Sequence, residues 1–176
     1  EIIKELKTNV DVLSLSATPI PRTLQMSLVG LRGFSQISTP PNARIPIQTN
    51  VLKYDFDIVI EILERELARK GQAFYLHNNV EDLYIIANKI QKRIKYANIG
   101  VVHGQMNRDD IEDVMLKFYS GEINVLICTS IVENGIDVPN ANLMIVDDAE
   151  MFGLSQLYQI KGRVGRGDRV AYAYYL

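Results

Sequence analysis

From Gly71 to Leu176 the chain repeats one pattern: a short apolar run, a turn, then apolar residues at helical spacing. No other feature restricts the fold as much. Strands that alternate with helices are joined by crossovers, and crossovers favour one parallel sheet with helices on both faces. Ala73-Phe74-Tyr75-Leu76, Ile99-Gly100-Val101-Val102 and Ile123 to Cys128 predict strands, followed by Asn142 to Val146 and Val170 to Leu176. The Ile123 to Cys128 run is of the kind buried on both faces. Asn79 predicts the cap of a helix that carries Leu83, Ile86, Ala87, Ile90 and Ile94 on one face. Asn107 with Asp110 predicts a capping pair for a helix with Ile111, Val114, Met115 and Phe118 at core spacing, ended by Gly121. A further helix is predicted to begin near Gly153.

The first 50 residues read differently. Val12 to Ser16 predicts a strand running into Ala17-Thr18-Pro19-Ile20-Pro21-Arg22, where two prolines forbid strand pairing and pre-set a turn. A short helix over Thr23 to Val29 follows, and Thr39 to Arg44 is the best linker candidate. The expected organisation is therefore 1–38 as the end of one domain, 39–50 as a linker, and 51–176 as a second domain. The chain has no initiator Met, and we expect it to be cut from something longer.

Composition narrows the function classes. Net charge is -2, which argues against wholesale adhesion to nucleic acid but not against a local basic strip. The single cysteine, Cys128, excludes a disulfide framework and suggests a reducing cytosol. No apolar run approaches the ~20 residues of a membrane span. With two histidines and one cysteine, no metal site is expected.

Two stretches can carry chemistry. Gln159-Ile160-Lys161-Gly162-Arg163-Val164-Gly165-Arg166 places two guanidiniums three residues apart, each able to chelate phosphate oxygens in two places. At 100° per residue, Gln156, Gln159, Arg163 and Arg166 form one polar stripe, with Leu154, Leu157, Tyr158 and Val164 expected on the opposite, sheet-facing side. The plain alternative is a solvated helix face with a glycine-rich end. The second stretch is Thr129 to Asp137. Gly135 permits backbone conformations closed to other residues, Asp137 suits a ribose hydroxyl, and Thr129 and Ser130 can donate to nucleic-acid phosphates. The plain alternative is an Asn-Gly turn. His103-Gly104 follows a predicted strand, where a histidine is as often a surface hydrogen-bonder as a ligand contact. Asp147-Asp148 imitates the magnesium-holding strand of a phosphate-loop enzyme, but the chain has no G-x-x-x-x-G-K-[ST], so these acids are read as structural or inter-domain.

Together these motifs resemble the superfamily 2 helicases. Ser16-Ala17-Thr18 is similar to motif III, Phe74 to Asn78 to motif IV, Thr129 to Asp137 to motif V, and Gln159 to Arg166 to motif VI. Ala17 to Thr23, His103 to Met106 and Phe152 to Leu157 resemble the branch that contains transcription-repair coupling translocases and RecG-type fork-remodelling helicases. Tyr75 to Glu81 and Thr39-Pro40-Pro41 look closer to the coupling type. Two positions depart from the pattern: Asn134 stands where the family has Thr, and Asp147-Asp148-Ala149-Glu150 where it has Glu-Arg-Ala-Asp.

The resemblance implies an α/β fold, the RecA-like parallel sheet of a second motor domain, after a short remnant of the first. It implies catalytic roles for Arg163, Arg166 and Gln159, and nucleotide contacts from Gly135, Asp137, Gly162 and Gly165. DNA contacts would come from Thr129, Ser130, Asn78, His103, Gly104, Thr18 and Arg22. ATP and Mg2+ would be held mainly by the first motor domain, so this chain alone is expected to be inactive and to hold no metal. Expected partners are double-stranded DNA and, through domains outside this chain, RNA polymerase and excision-repair proteins, in a bacterial cytoplasm and without a membrane. The alternatives are a RecG-type branched-DNA helicase and a noncatalytic module that binds DNA or a partner.

Overall fold

A computed structural model describes Ser35, Ile37 and residues 45–129 and 138–176. By contacts the chain divides after Gln36, and the description below concerns Ile37–Leu176. The strand and helix expected within residues 12–29, and the linker expected over Thr39 to Arg44, lie outside the described residues.

The elements follow as β1 (Gln48–Val51), α1 (Phe56–Ala68), β2 (Gln72–Leu76), α2 (Val80–Arg93), β3 (Ile99–Val102), α3 (Arg108–Ser120) and β4 (Val125–Cys128). Then come β5 (Ala141–Val146), a 3-10 turn (Ala149–Met151), α4 (Leu154–Lys161) and β6 (Tyr172–Tyr175). The six strands form one sheet in the order β1-β6-β5-β2-β4-β3, and every neighbouring pair is parallel. The expected parallel α/β sheet is what the chain forms.

Alternate residues of each central strand feed two separate cores. Phe74, Leu76, Leu126, Cys128, Met144 and Val146 pack with Phe118 of α3 and Ile160 of α4 on one face. Ala73, Tyr75, Val125, Ile127, Leu143 and Ile145 pack with Leu63 of α1 and with Leu83 and Ile90 of α2 on the other. Both faces being covered is why β2, β4 and β5 are buried throughout and mostly apolar instead of alternating, with Gln72 and Asn142 the polar exceptions. Burial pushes the Cys128 thiol far above its ordinary range, so it stays a protonated, apolar filler. The buried Gln72 is satisfied by donating to the carbonyls of Phe118 and Ile123, which ties the start of β2 to the end of α3.

Local signals set the helix ends. Asn79 caps α2 as expected, its side chain accepting from the Glu81 N–H at 3.1 Å. Gly121 stops α3 in the left-handed region, at φ 83°. The capping pair before α3 differs from expectation. Asn107 makes no side-chain bond to the helix backbone and instead points its amide at Asp110 Oδ2, 3.5 Å away.

Candidate functional site

Because all strands run parallel, all their carboxyl ends emerge on one edge of the sheet. Asp147, His77, Thr129 and His103 each follow the last residue of a strand, and the strand order sets them side by side in that sequence. Backbone bonds carry the pairing just past the strands: the Asp147 N–H donates to Leu76 O, that of His77 to Cys128 O, and that of Thr129 to Val102 O. Asn78 and Gly104 are exposed on this edge, whereas Thr129 and His103 are each 8 % exposed. The exposed neutral donors of this edge, Asn78 and the Gly104 backbone, suit phosphate oxygens, and the Asp148 carboxylate lies near them.

His103 is held from one side. Its Nε2 lies 3.2 Å from the Tyr84 hydroxyl, with the two rings edge-to-face at 5.9 Å. Nδ1 is buried and has no hydrogen-bond partner among the described residues. Tyr84 was missed by the sequence reading. Its one signal is an aromatic at an outward position of α2, where it is 51 % exposed.

The arginine segment sits elsewhere. α4 stops at Lys161, and Gly162 to Gly165 turn the chain toward β6. The Arg163 N–H closes on Ile160 O at 3.0 Å, and the Gly165 N–H donates to Ala141 O, the first residue of β5. The segment is thus held at the amino end of β5, the sheet edge opposite to Asn78 and Thr129. Gly165 is required there: its φ is 70°, and a Cβ would stand 3.0 Å from that of Ala171. Val164 is fully buried and anchors the turn, leaving Arg163 half-buried and Arg166 exposed. Arg166 Nε reaches the Gly162 carbonyl at 3.4 Å.

This corrects the helical stripe. Arg163 and Arg166 follow the helix and do not belong to it, so a 100° step carried past Lys161 has no meaning. Leu154 and Tyr158, expected to face the sheet, are 87 % and 61 % exposed. The inward residues are Ile160 and Val164, with Leu157 half-buried. An eight-residue helix beside β5 and β6 has too little length to bury a wider face.

The second stretch that can carry chemistry runs on from Thr129 toward Val138. Ser130, Gly135 and Asp137 belong to that stretch, and they lie outside the described residues, as do Thr18 and Arg22. Asp147 shares the carboxyl edge but is not one of its donors. It is buried, its Oδ2 accepting from the Tyr75 hydroxyl at 2.8 Å and its Oδ1 from the Asp148 N–H at 3.0 Å. Burial, and then the Asp147 charge, push the Tyr75 hydroxyl far up, so it remains a donor. No helix among the described residues is long and apolar enough to cross a membrane.

Comparison with known proteins bears on the family and the fold. The family model of the helicase conserved C-terminal domain matches residues 55–168. The chain is 54% identical over all 176 residues to the transcription-repair-coupling factors of Staphylococcus haemolyticus (strain JCSC1435) and Staphylococcus aureus (strain USA300). It spans 15% of the length of those relatives. Among solved structures it is similar to RecG bound to a three-way DNA junction, with TM-score 0.75 and 35% identity over 90% of this chain and 22% of that one. Dbp5 of S. cerevisiae bound to RNA and ADP BeF3 matches at TM-score 0.74 and 17% identity, over 99% of this chain and 46% of that one, a likeness of fold alone. The architecture is the RecA-like sheet of helicase C-terminal domains.

Proposed function

Since the chain belongs to the helicase conserved C-terminal domain family, we propose that it is the second motor half of an ATP-driven double-stranded DNA translocase of the transcription-repair coupling type. The observation that carries this reading is the 54% identity to coupling factors along the entire chain. Separation of the arginine turn from the neutral-donor edge supports it, because a motor must couple a nucleotide site to a distinct track site.

In this reading ATP lies between the two motor halves. The first half supplies the phosphate loop, Mg2+ and the catalytic acid. Arg163 and Arg166 reach the γ-phosphate, Gln159 positions them, Gly162 and Gly165 let the backbone come close, and Gly135 and Asp137 meet the ribose. The arginines favour a closed cleft only while the γ-phosphate is present, so hydrolysis and phosphate release open it. DNA phosphates rest on Asn78, Gly104, Thr129 and Ser130, with His103, Thr18 and Arg22 beside them. Each closure then becomes a step along the duplex. RNA polymerase and excision-repair proteins engage domains beyond this chain, in the bacterial cytoplasm. This chain alone has no phosphate loop, and we expect no ATP turnover from it.

Arg166→Ala in the intact translocase should cut ATP turnover by ~10³-fold or more, with nucleotide binding nearly unchanged. Near-normal turnover in that variant would sink the assignment. The RecG likeness, at 35% identity, supports fork remodelling as the second reading. Displacement of a stalled polymerase, against regression of a model fork, separates the two.

A further inference from the structure

One cluster on the carboxyl edge is used by neither the nucleotide nor the DNA reading. His77, Asp147 and Asp148 stand at the ends of the neighbouring strands β2 and β5, with one ligand atom from each within 4.8 Å of the others. His77 Nδ1 lies 3.1 Å from Asp147 Oδ2 and 3.6 Å from Asp148 Oδ2. His77 is 8 % exposed, and Nδ1 is buried without a hydrogen-bond partner among the described residues, the approach to Asp147 lying off the line such a bond needs.

The other ring nitrogen has an acceptor for a proton. Nε2 faces Asp82 Oδ2 at 3.4 Å, and Asp82 is itself fixed by the Asn79 amide at 2.7 Å. A carboxylate behind one ring nitrogen holds the proton there and turns the lone pair of the other outward, the arrangement that backs a metal-bound histidine. Here that lone pair meets two carboxylates, which repel it unless a positive charge lies between them. Asp147 is oriented in the same manner, by the Tyr75 hydroxyl. Ligands ~2.0–2.1 Å from a tetrahedral ion stand about 3.3 Å apart, and the two distances from Nδ1 bracket that spacing.

We propose that His77 Nδ1, Asp147 Oδ2 and Asp148 Oδ2 bind one divalent transition-metal ion of the Zn2+ or Co2+ kind. Asp148, whose side chain is 55% exposed, leaves a fourth position open to solvent. Its left-handed backbone, at φ 51° and ψ 49°, is one that aspartate tolerates, and it brings the carboxylate back over the strand end. A nitrogen donor in a set of three suits these ions, not Mg2+ or Ca2+, which take six or more oxygens. The bound ion would tie the end of β2, one residue before Asn78, to the turn after β5. It would also offset two carboxylates beside that edge. The proposal stands apart from the translocase reading, since it rests on the cluster alone.

The test is a Co2+ titration of the chelator-stripped 176-residue chain, followed by visible absorption and by melting temperature. One equivalent should give a tetrahedral d–d band and a higher melting temperature, with the band displaced by Zn2+ and untouched by excess Mg2+. Asp148→Asn, on an exposed side chain that the fold does not need, should weaken binding by roughly 10–100-fold while the metal-free melting temperature holds. Asp82→Asn should weaken it by about tenfold through the histidine. A plain His–Asp ion pair gives the opposite result: no saturable band, or a band that persists unchanged in Asp148→Asn and in His77→Gln. Either outcome overturns the proposal.

Discussion

Glu66 lies within α1 at 3 % exposure, with Arg69 Nη1 3.3 Å from one carboxylate oxygen and no hydrogen-bond partner for the other among the described residues. Burial raises its pKa, and Arg69, Asn142 and Arg169 pull it part of the way back. The unfolded chain therefore gives up this proton at lower pH than the folded chain. Whatever stability Glu66 supplies is complete below the ordinary carboxylate range and is lost as pH rises through the folded value. Glu66→Gln should melt higher than the parent at about pH 7, with the margin closing as pH falls through the raised folded value, where the parent takes up its proton. Thermal melts of both chains across that range check it, and a margin that widens in acid would refute it. Residues of this kind are hard to read in advance. Nothing in the chain letters says that Glu66 is buried, just as nothing says that His77 Nδ1 faces Asp147. Arg163 and Arg166 were read as a phosphate-suited pair, and their placement after the helix was not legible. Gly165 takes a left-handed backbone after Lys161, which ends the helical step that the stripe relied on.

At the scale of elements, two asparagines chosen by the same rule behave differently. Asn79 accepts from the Glu81 N–H and also donates to Asp82, so it holds the first turn of α2 twice. Asn107 precedes α3 in the same backbone conformation but makes no cap bond. Asn79→Ala should cost about 1 kcal/mol of stability, and Asn107→Ala only a few tenths. Urea denaturation of the two variants separates them, and equal losses would contradict the assignment. The five strands after Gly71 were legible to within two residues, because strands buried in a sheet are mostly apolar; β1, at the edge of the sheet, was not expected. β4 begins at Val125 instead of Ile123, since Ile123 is taken into the turn after α3, where its N–H donates to Lys117 O. The wrong face of α4 has a related cause. Leu154 and Tyr158 are apolar, but so short a helix has no neighbour to cover them among the described residues.

Across the whole molecule, the proposed DNA edge presents neutral donors more than cations, in keeping with a net charge of -2. Neutral donors form hydrogen bonds to phosphate but release no counterions, so they add affinity without adding salt dependence. In the intact translocase, Asn78→Ala should weaken binding to duplex DNA while leaving the slope of log affinity against log salt unchanged. Arg22→Ala should lower that slope by about 0.9, the share of one neutralised phosphate. A changed slope in the asparagine variant, or an unchanged one in the arginine variant, would remove that residue from the interface. The amino-acid sequence by itself determined the strands and helices after Gly71, where α2 and α3 stop or start, and which family the motifs resemble; β1 (Gln48–Val51) and α1 (Phe56–Ala68) were not among its expectations, and most of β1 falls in the stretch expected as linker. Periodicity, caps and glycine turns act over a few residues and are written locally. Only the tertiary structure decided the strand order, and with it which motif stands on which edge. Tyr75 and Asp147, 72 residues apart in the chain, meet because β2 pairs with β5. That pairing depends on crossovers and packing on both faces of the sheet, which no local pattern encodes.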